Sequence, residues 1–227
     1  MRKKFSETTA WLIESLHYHN VDWPEREIYL LGEEDAALDE WKRKKLGEEP
    51  GVEFSMANRL IKNLRLLDTT NNKPILIHMK TCGGDWHEGM AIYDAISYCK
   101  SYVTILNYTH ARSMSSIILQ AADNRVMMPH SHFMYHHGSY GVYGDWAKVQ
   151  SIIDWDRKIP DIMLGLYADR MTTTKAGKYH GQSTDKIKKM IQRQLEKKVD
   201  VFFTAEETIE SGLADSIFDG DWTTLKN

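Results

Sequence analysis

A chain of 227 residues, 42% hydrophobic and 27% charged, has the size and balance of one globular domain with at most a modest extension, which excludes the disordered and fibrous classes. Its 29 Lys+Arg against 32 Asp+Glu leave a net charge of -3, so no global basicity points to nucleic acid. No apolar run approaches the roughly 20 residues that cross a bilayer, the basic opening Met1-Arg-Lys-Lys lacks an apolar stretch behind it, and two cysteines outside a C-x-x-C pattern suit a reducing, cytoplasmic compartment.

In chain order, residues 1–25 read as an N-terminal arm carrying a short apolar patch, Trp11 to Leu16, and 26–227 as a single domain. Arg26 to Leu31 reads as a strand stopped by Gly32. Residues 33–51 mix charges of both signs and end in Gly47, Pro50 and Gly51, which predicts an exposed insertion with a helical turn near 38–45. Phe54, Ala57, Leu60, Ile61, Leu64 and Leu67 recur at helical spacing. Ile75 to Met79 is an apolar run of the kind buried in parallel sheets, followed by a helix over Gly89 to Lys100, a strand over Tyr102 to Leu106 and a helix over Ser115 to Ala122. Two strand-like pieces follow, Arg125 to Met128 and Phe133 to His136. This alternation predicts an α/β fold of βαβ units around a mostly parallel sheet. Asp145 to Arg170 reads as a long helix that Pro160 kinks or whose first half it ends, and its apolar residues are too many for one surface face; it is buried on several sides or packs on another subunit. Thr204-Ala-Glu-Glu207 is a capping box opening a last helix that Gly212 closes.

The phosphate-binding pattern G-x-x-x-x-G-K-[ST], the zinc pattern H-E-x-x-H and the elbow G-x-S-x-G are all absent. Three other local features could carry chemistry. Thr81-Cys-Gly-Gly84 joins a strand to a helix; its glycines suit an oxyanion hole, or simply a turn. Ala111-Arg-Ser-Met-Ser-Ser116 puts a serine at a helix start, as a nucleophile or as a cap. In Pro129-His-Ser-His-Phe-Met-Tyr-His-His137, His130, His132 and His136 share strand parity; a metal site is conceivable, but no carboxylate or thiolate lies in the run, and a strand-end histidine acting as a base needs only a hydroxyl and an acid. No metal or cofactor is therefore expected.

In this order the three features resemble the ClpP serine peptidase family, the proteolytic subunit of the ATP-dependent Clp protease. Cys82-Gly-Gly-Asp-Trp-His-Glu-Gly-Met-Ala-Ile-Tyr-Asp94 is similar to that family's Ser-Pro-Gly-Gly-Ser-Val-x-x-Gly-Met-Ala-Ile-Tyr-Asp segment, and Ala111-Arg-Ser-Met114 to its Ala-Ala-Ser-Met-Gly nucleophile motif. Pro129 to His136 resembles its Pro-Asn-Ser-Arg-x-Met-Ile-His run, and Phe202 to Asp215 its closing Phe-Leu-Ser-Ala helix. The likeness spans about residues 26 to 218, gapped at the insertion.

The resemblance implies a ClpP/crotonase-like spiral of βαβ units with residues 145–170 as a protruding handle. It implies Ser113 as nucleophile, His136 as general base and the amides of Gly84 and Met114 as oxyanion hole. For the acid it implies Glu196, with Asp200 as the alternative. It further implies a homo-oligomer of heptameric rings stacked as a tetradecamer, an AAA+ unfoldase partner, and unfolded protein or peptide substrates. Ser115 in place of the family's glycine, and Lys80-Thr81-Cys82 in place of polar-Ser-Pro, mark a divergent member whose pocket is reshaped or whose activity is reduced. Two rivals stay open: a catalytically silent Clp-type structural subunit, and a crotonase-fold acyl-CoA enzyme. A Ser-Lys signal-peptide peptidase fits less well, for want of a membrane segment.

Overall fold

The alternation of apolar runs and amphipathic stripes builds a mixed α/β structure around a mostly parallel sheet. The computed structural model describes residues 7–31, 51–139 and 141–226; the expected insertion, apart from Gly51, lies outside them. Along the chain come α1 (Glu7–His19), β1 (Val21–Asp22), β2 (Glu27–Leu31), α2 (Phe54–Thr70), β3 (Ile75–Thr81), α3 (Trp86–Ser97), β4 (Val103–Arg112) and α4 (Met114–Leu119). Then follow β5 (Asn124–Met127), β6 (His132–Tyr135), α5 (Trp146–Asp156), α6 (Ile159–Thr173), α7 (Thr184–Lys197), β7 (Val201–Thr204), α8 (Ala205–Glu210), β8 (Ser216–Ile217) and a 3-10 turn at Trp222–Lys226.

The strands order as β1-β2-β3-β4-β5-β8, with β6 paired to β4 and β7 paired to β6. Pairings from β2 to β5, β4 to β6 and β5 to β8 are parallel; β1 on β2 and β7 on β6 are antiparallel. The long strand β4 serves two partners. Thr104 to Asn107 pair with β5, and His110 to Arg112 pair with β6. This fork carries β6 and β7 away from the main sheet and sets their ends beside the end of β4.

Strand parity divides the burial. Ile75, Ile77, Met79 and Ile105 belong to the main core with Leu60, Leu64 and Leu67 of α2, whereas Leu76, Leu106 and Val126 form a second cluster that Leu225 of the 3-10 turn covers. The α2 stripe differs from expectation at its start: Phe54 is exposed and Met56 takes the inward place. Glu53 caps that helix through the Ser55 and Met56 amides. Helix α3 begins three residues earlier than the spacing predicts, because the Asp85 carboxylate accepts from the Glu88 amide. The expected long helix is two helices divided at Arg157 and Lys158, with Pro160 in the first turn of α6, where a missing N–H removes no helix bond. The capping box forms in full: Glu207 N–H donates to Thr204 Oγ1, and Thr204 N–H donates to Glu207 Oε2.

Helix α7 and strand β7 drew no expectation from the sequence, yet they bring in the remaining acid described below. Elsewhere in the core the Arg125 side chain, 2% exposed, bonds four other residues. It donates through Nε and an Nη to both Asp215 oxygens, and also to Gln120 Oε1, the Gly212 carbonyl and Thr174 Oγ1.

Candidate active site

One residue separates the end of β4 from the start of α4, and that residue is Ser113. To turn a strand into a helix in one step it adopts φ 54° and ψ -130°, a conformation that L-residues hold only when their surroundings enforce it. The G-x-S-x-G pattern is absent, but the geometry is still a strand-to-helix elbow with a half-buried serine at its tip. Ser113 N–H donates to the Met134 carbonyl at 3.1 Å, tying the elbow to β6.

Two glycines make room for it. A Cβ on Gly83 would stand 2.7 Å from Ser113 Cβ and 2.9 Å from Met114 N, so the elbow rests directly on that residue. Gly84, at φ 149°, lies against Val52, whose backbone a Cβ there would strike. The bridge to Val52 uses Val52 N–H to the Gly83 carbonyl and Asp85 N–H to the Val52 carbonyl, which leaves the Gly84 N–H out of the pairing. Met114 is the first residue of α4, where amides have no partner within the helix.

The register of β6 with β7 brings in the other groups. Tyr135 pairs with Val201, so the next step of this antiparallel ladder sets His136 opposite Asp200. His136 Nε2 lies 2.8 Å from Ser113 Oγ, and His136 Nδ1 lies 3.1 Å from Asp200 Oδ1. A hydroxyl donating to Nε2 requires the tautomer with its proton on Nδ1, which then donates to the carboxylate.

The acid is where sequence and structure part. Glu196, the first choice, sits in the last turn of α7, where its carboxylate accepts from Gln192 Nε2 at 3.1 Å on the exposed face. The acid beside the imidazole is the alternative, Asp200. Counting along a segment cannot reveal that α7 ends at Lys197 and that three residues then lead into a strand.

A cleft of about 860 Å³ opens over Ser113 and His136. Gly84 and Met114 line it, with Ile117, Met163 and Tyr167 as apolar wall and Gly138 beyond the imidazole. A second cavity of about 760 Å³ between α1 and α2 shares no residue with it. The histidine run does not converge on a metal position: His132 stacks near His110 and Phe202, while His136 faces Ser113. Among the described residues no three His, Cys, Asp or Glu side chains gather as a metal set, and no helix is long and apolar enough to cross a membrane.

Together these atoms amount to a hydroxyl, an imidazole and a carboxylate in line beside two backbone amides, the constellation of nucleophilic acyl transfer. The comparisons with known proteins give the family. The sequence model of the Clp protease family matches residues 41–221. The chain is 30% identical over 171 residues to an ATP-dependent Clp protease proteolytic subunit of Deinococcus radiodurans, covering 74% of this chain and 76% of that one. It is 35% identical over 179 residues to proteolytic subunit 2 of Prochlorococcus marinus, covering 76% and 78% of the two chains. A proteolytic subunit from Chlorella vulgaris is 30% identical over 177 residues, covering 76% and 81%. This chain belongs to the Clp protease family.

Proposed function

We propose that this chain is a serine-type endopeptidase that cleaves unfolded proteins or peptides. The observation that carries the reading is the 2.8 Å contact between Ser113 Oγ and His136 Nε2, continued to Asp200. Ser113 Oγ attacks a peptide carbonyl while His136 takes its proton, and Asp200 holds the imidazole and stabilises its cationic form. The amides of Gly84 and Met114 receive the oxyanion; each such donor is worth about 10²–10³ in rate. His136 then returns the proton to the leaving amine, and water repeats the sequence on the acyl-enzyme. Gly138, Ser139 and Gly141 line the cleft after His136, so an extended substrate has main chain to lie against.

A fluorophosphonate probe tests this directly. Peptide mapping is expected to find the label on Ser113, together with casein or fluorogenic-peptide cleavage. An unlabelled protein inert to both substrates would support the silent-subunit reading instead. The family match supports peptide cleavage over the acyl-CoA reading.

Assembly belongs to the same proposal: stacked heptameric rings forming a closed tetradecameric chamber in the cytoplasm, fed by an AAA+ unfoldase. No residue of α5 is buried, and Tyr143, Trp146 and Trp155 stand exposed at 96%, 81% and 59%. Such an apolar handle is costly to leave in water and supports burial against other copies. Size-exclusion chromatography with light scattering is expected to show a large closed oligomer; a stable monomer would overturn the chamber.

A further inference from the structure

The strained conformation of Ser113 needs something to hold it, and the helix that follows supplies it. Ser115 stands where the resembled family has glycine, a change that predicts a reshaped pocket or reduced activity. The side chain does not line the cleft. Ser115 is wholly buried and its hydroxyl turns back onto the residue before the nucleophile: Arg112 N–H donates to Ser115 Oγ at 3.0 Å, and Ser115 Oγ–H donates to the Arg112 carbonyl at 2.8 Å. One hydroxyl thus reaches across Ser113 and closes both main-chain groups on its far side.

A second brace acts on Ser113 itself. Ser116 Oγ–H donates to the Ser113 carbonyl at 2.6 Å. Ser116 has one hydroxyl proton, so in its 2.7 Å contact with Tyr167 the phenol is the donor. Complete burial pushes the Tyr167 phenol up, outweighing the opposing effect of its contact with Ser116, and keeps it protonated and able to donate. The elbow is therefore held by hydroxyls on both sides, and buried bonds of this kind define a geometry tightly because breaking one leaves a polar group unsatisfied.

We infer that Ser115 is a positioning residue for the nucleophile: with Ser116 and Tyr167 it holds Ser113 in the left-handed conformation from which Oγ meets His136, so that serine in place of glycine strengthens the site. The inference rests on the peptidase reading above. Removing the Ser115 hydroxyl releases the Arg112 N–H and carbonyl, lets Ser113 relax towards ordinary φ, and draws Oγ away from the imidazole.

The test compares Ser115→Ala, Ser115→Gly and Ser115→Thr in the assembled full-length protein, with a fluorogenic peptide and a fluorophosphonate. Ala and Gly remove the hydroxyl without adding bulk; both are expected to lower kcat and the labelling rate per folded protomer by about tenfold, the equivalent of about one hydrogen bond, with KM unchanged. Thr keeps the hydroxyl and is expected to recover most of the loss. A Gly variant as fast as wild type, or an Ala variant that only melts earlier while its folded protomers label at the wild-type rate, overturns the inference and leaves the peptidase reading intact. A wild-type protein that takes no label overturns both.

Discussion

Replacing Asp200 by Asn is expected to lower kcat for peptide hydrolysis by about 10⁴, whereas Glu196→Gln is expected to leave it within twofold of wild type. An amide at position 200 keeps the size of the side chain but no longer rewards a proton on Nδ1. The imidazole then favours the tautomer with Nε2 protonated, which cannot accept from Ser113 Oγ. The contact at 3.1 Å is the one at stake, and nothing comparable joins Glu196 to His136, since that carboxylate is engaged with Gln192. Ser113→Ala, which removes the proposed attacking oxygen, is expected to cost more, on the order of 10⁶. Steady-state kinetics on one fluorogenic peptide, with circular dichroism to confirm folding, ranks the three variants. If Glu196→Gln falls as far as Asp200→Asn, the alignment of Ser113, His136 and Asp200 is not the working one.

Asp215→Ala is expected to cost about 3–5 kcal/mol of stability, seen as a fall in melting temperature on the order of 10 °C. The loss comes from what stays behind. Arg125 is 2% exposed, and Asp215 is the only anion among its hydrogen-bond partners Gln120, Gly212, Thr174 and Asp215. Removing the carboxylate, itself 31% exposed, leaves a largely buried guanidinium without its anion. It also removes the acceptor for the Arg125 amide at 2.8 Å, at the point where β5 meets the segment entering β8. The double variant Arg125→Met with Asp215→Leu takes out both charges and is expected to recover much of the stability, because the penalty belongs to the unpaired ion rather than to the missing pair. Differential scanning calorimetry separates the cases; an Asp215→Ala protein melting within a degree or two of wild type would show that the cluster contributes little.

The elements that were legible in the sequence are those whose signal is local. Apolar runs such as Ile75 to Met79 are strands because every residue is buried on one face or the other, and the α2 stripe is visible because one face of it meets the sheet. The capping box at Thr204 and the punctuation by Gly212 are likewise chemistry between near neighbours. Helix α7 was missed although its inward residues Ile187, Ile191 and Leu195 keep helical spacing, because the Lys-rich face around them reads as a solvated surface. Strand β7 is four residues long and half exposed, too short for a period to declare itself.

Sequence alone determined the alternation of strands and helices and the family resemblance, since both rest on residue types at short spacing; the candidacy of Ser113, His136, Gly84 and Met114 followed from that resemblance. Tertiary structure alone decided which acid faces the imidazole, where the handle breaks, and that the Ser115 side chain turns inward to its own elbow. These outcomes hang on strand register, on a helix end and on the direction of one buried hydroxyl. The first is fixed by a contact between segments 64 positions apart, from His136 to Asp200, of which linear spacing carries no record; the other two are local, but turn on backbone and hydroxyl directions that residue types do not specify.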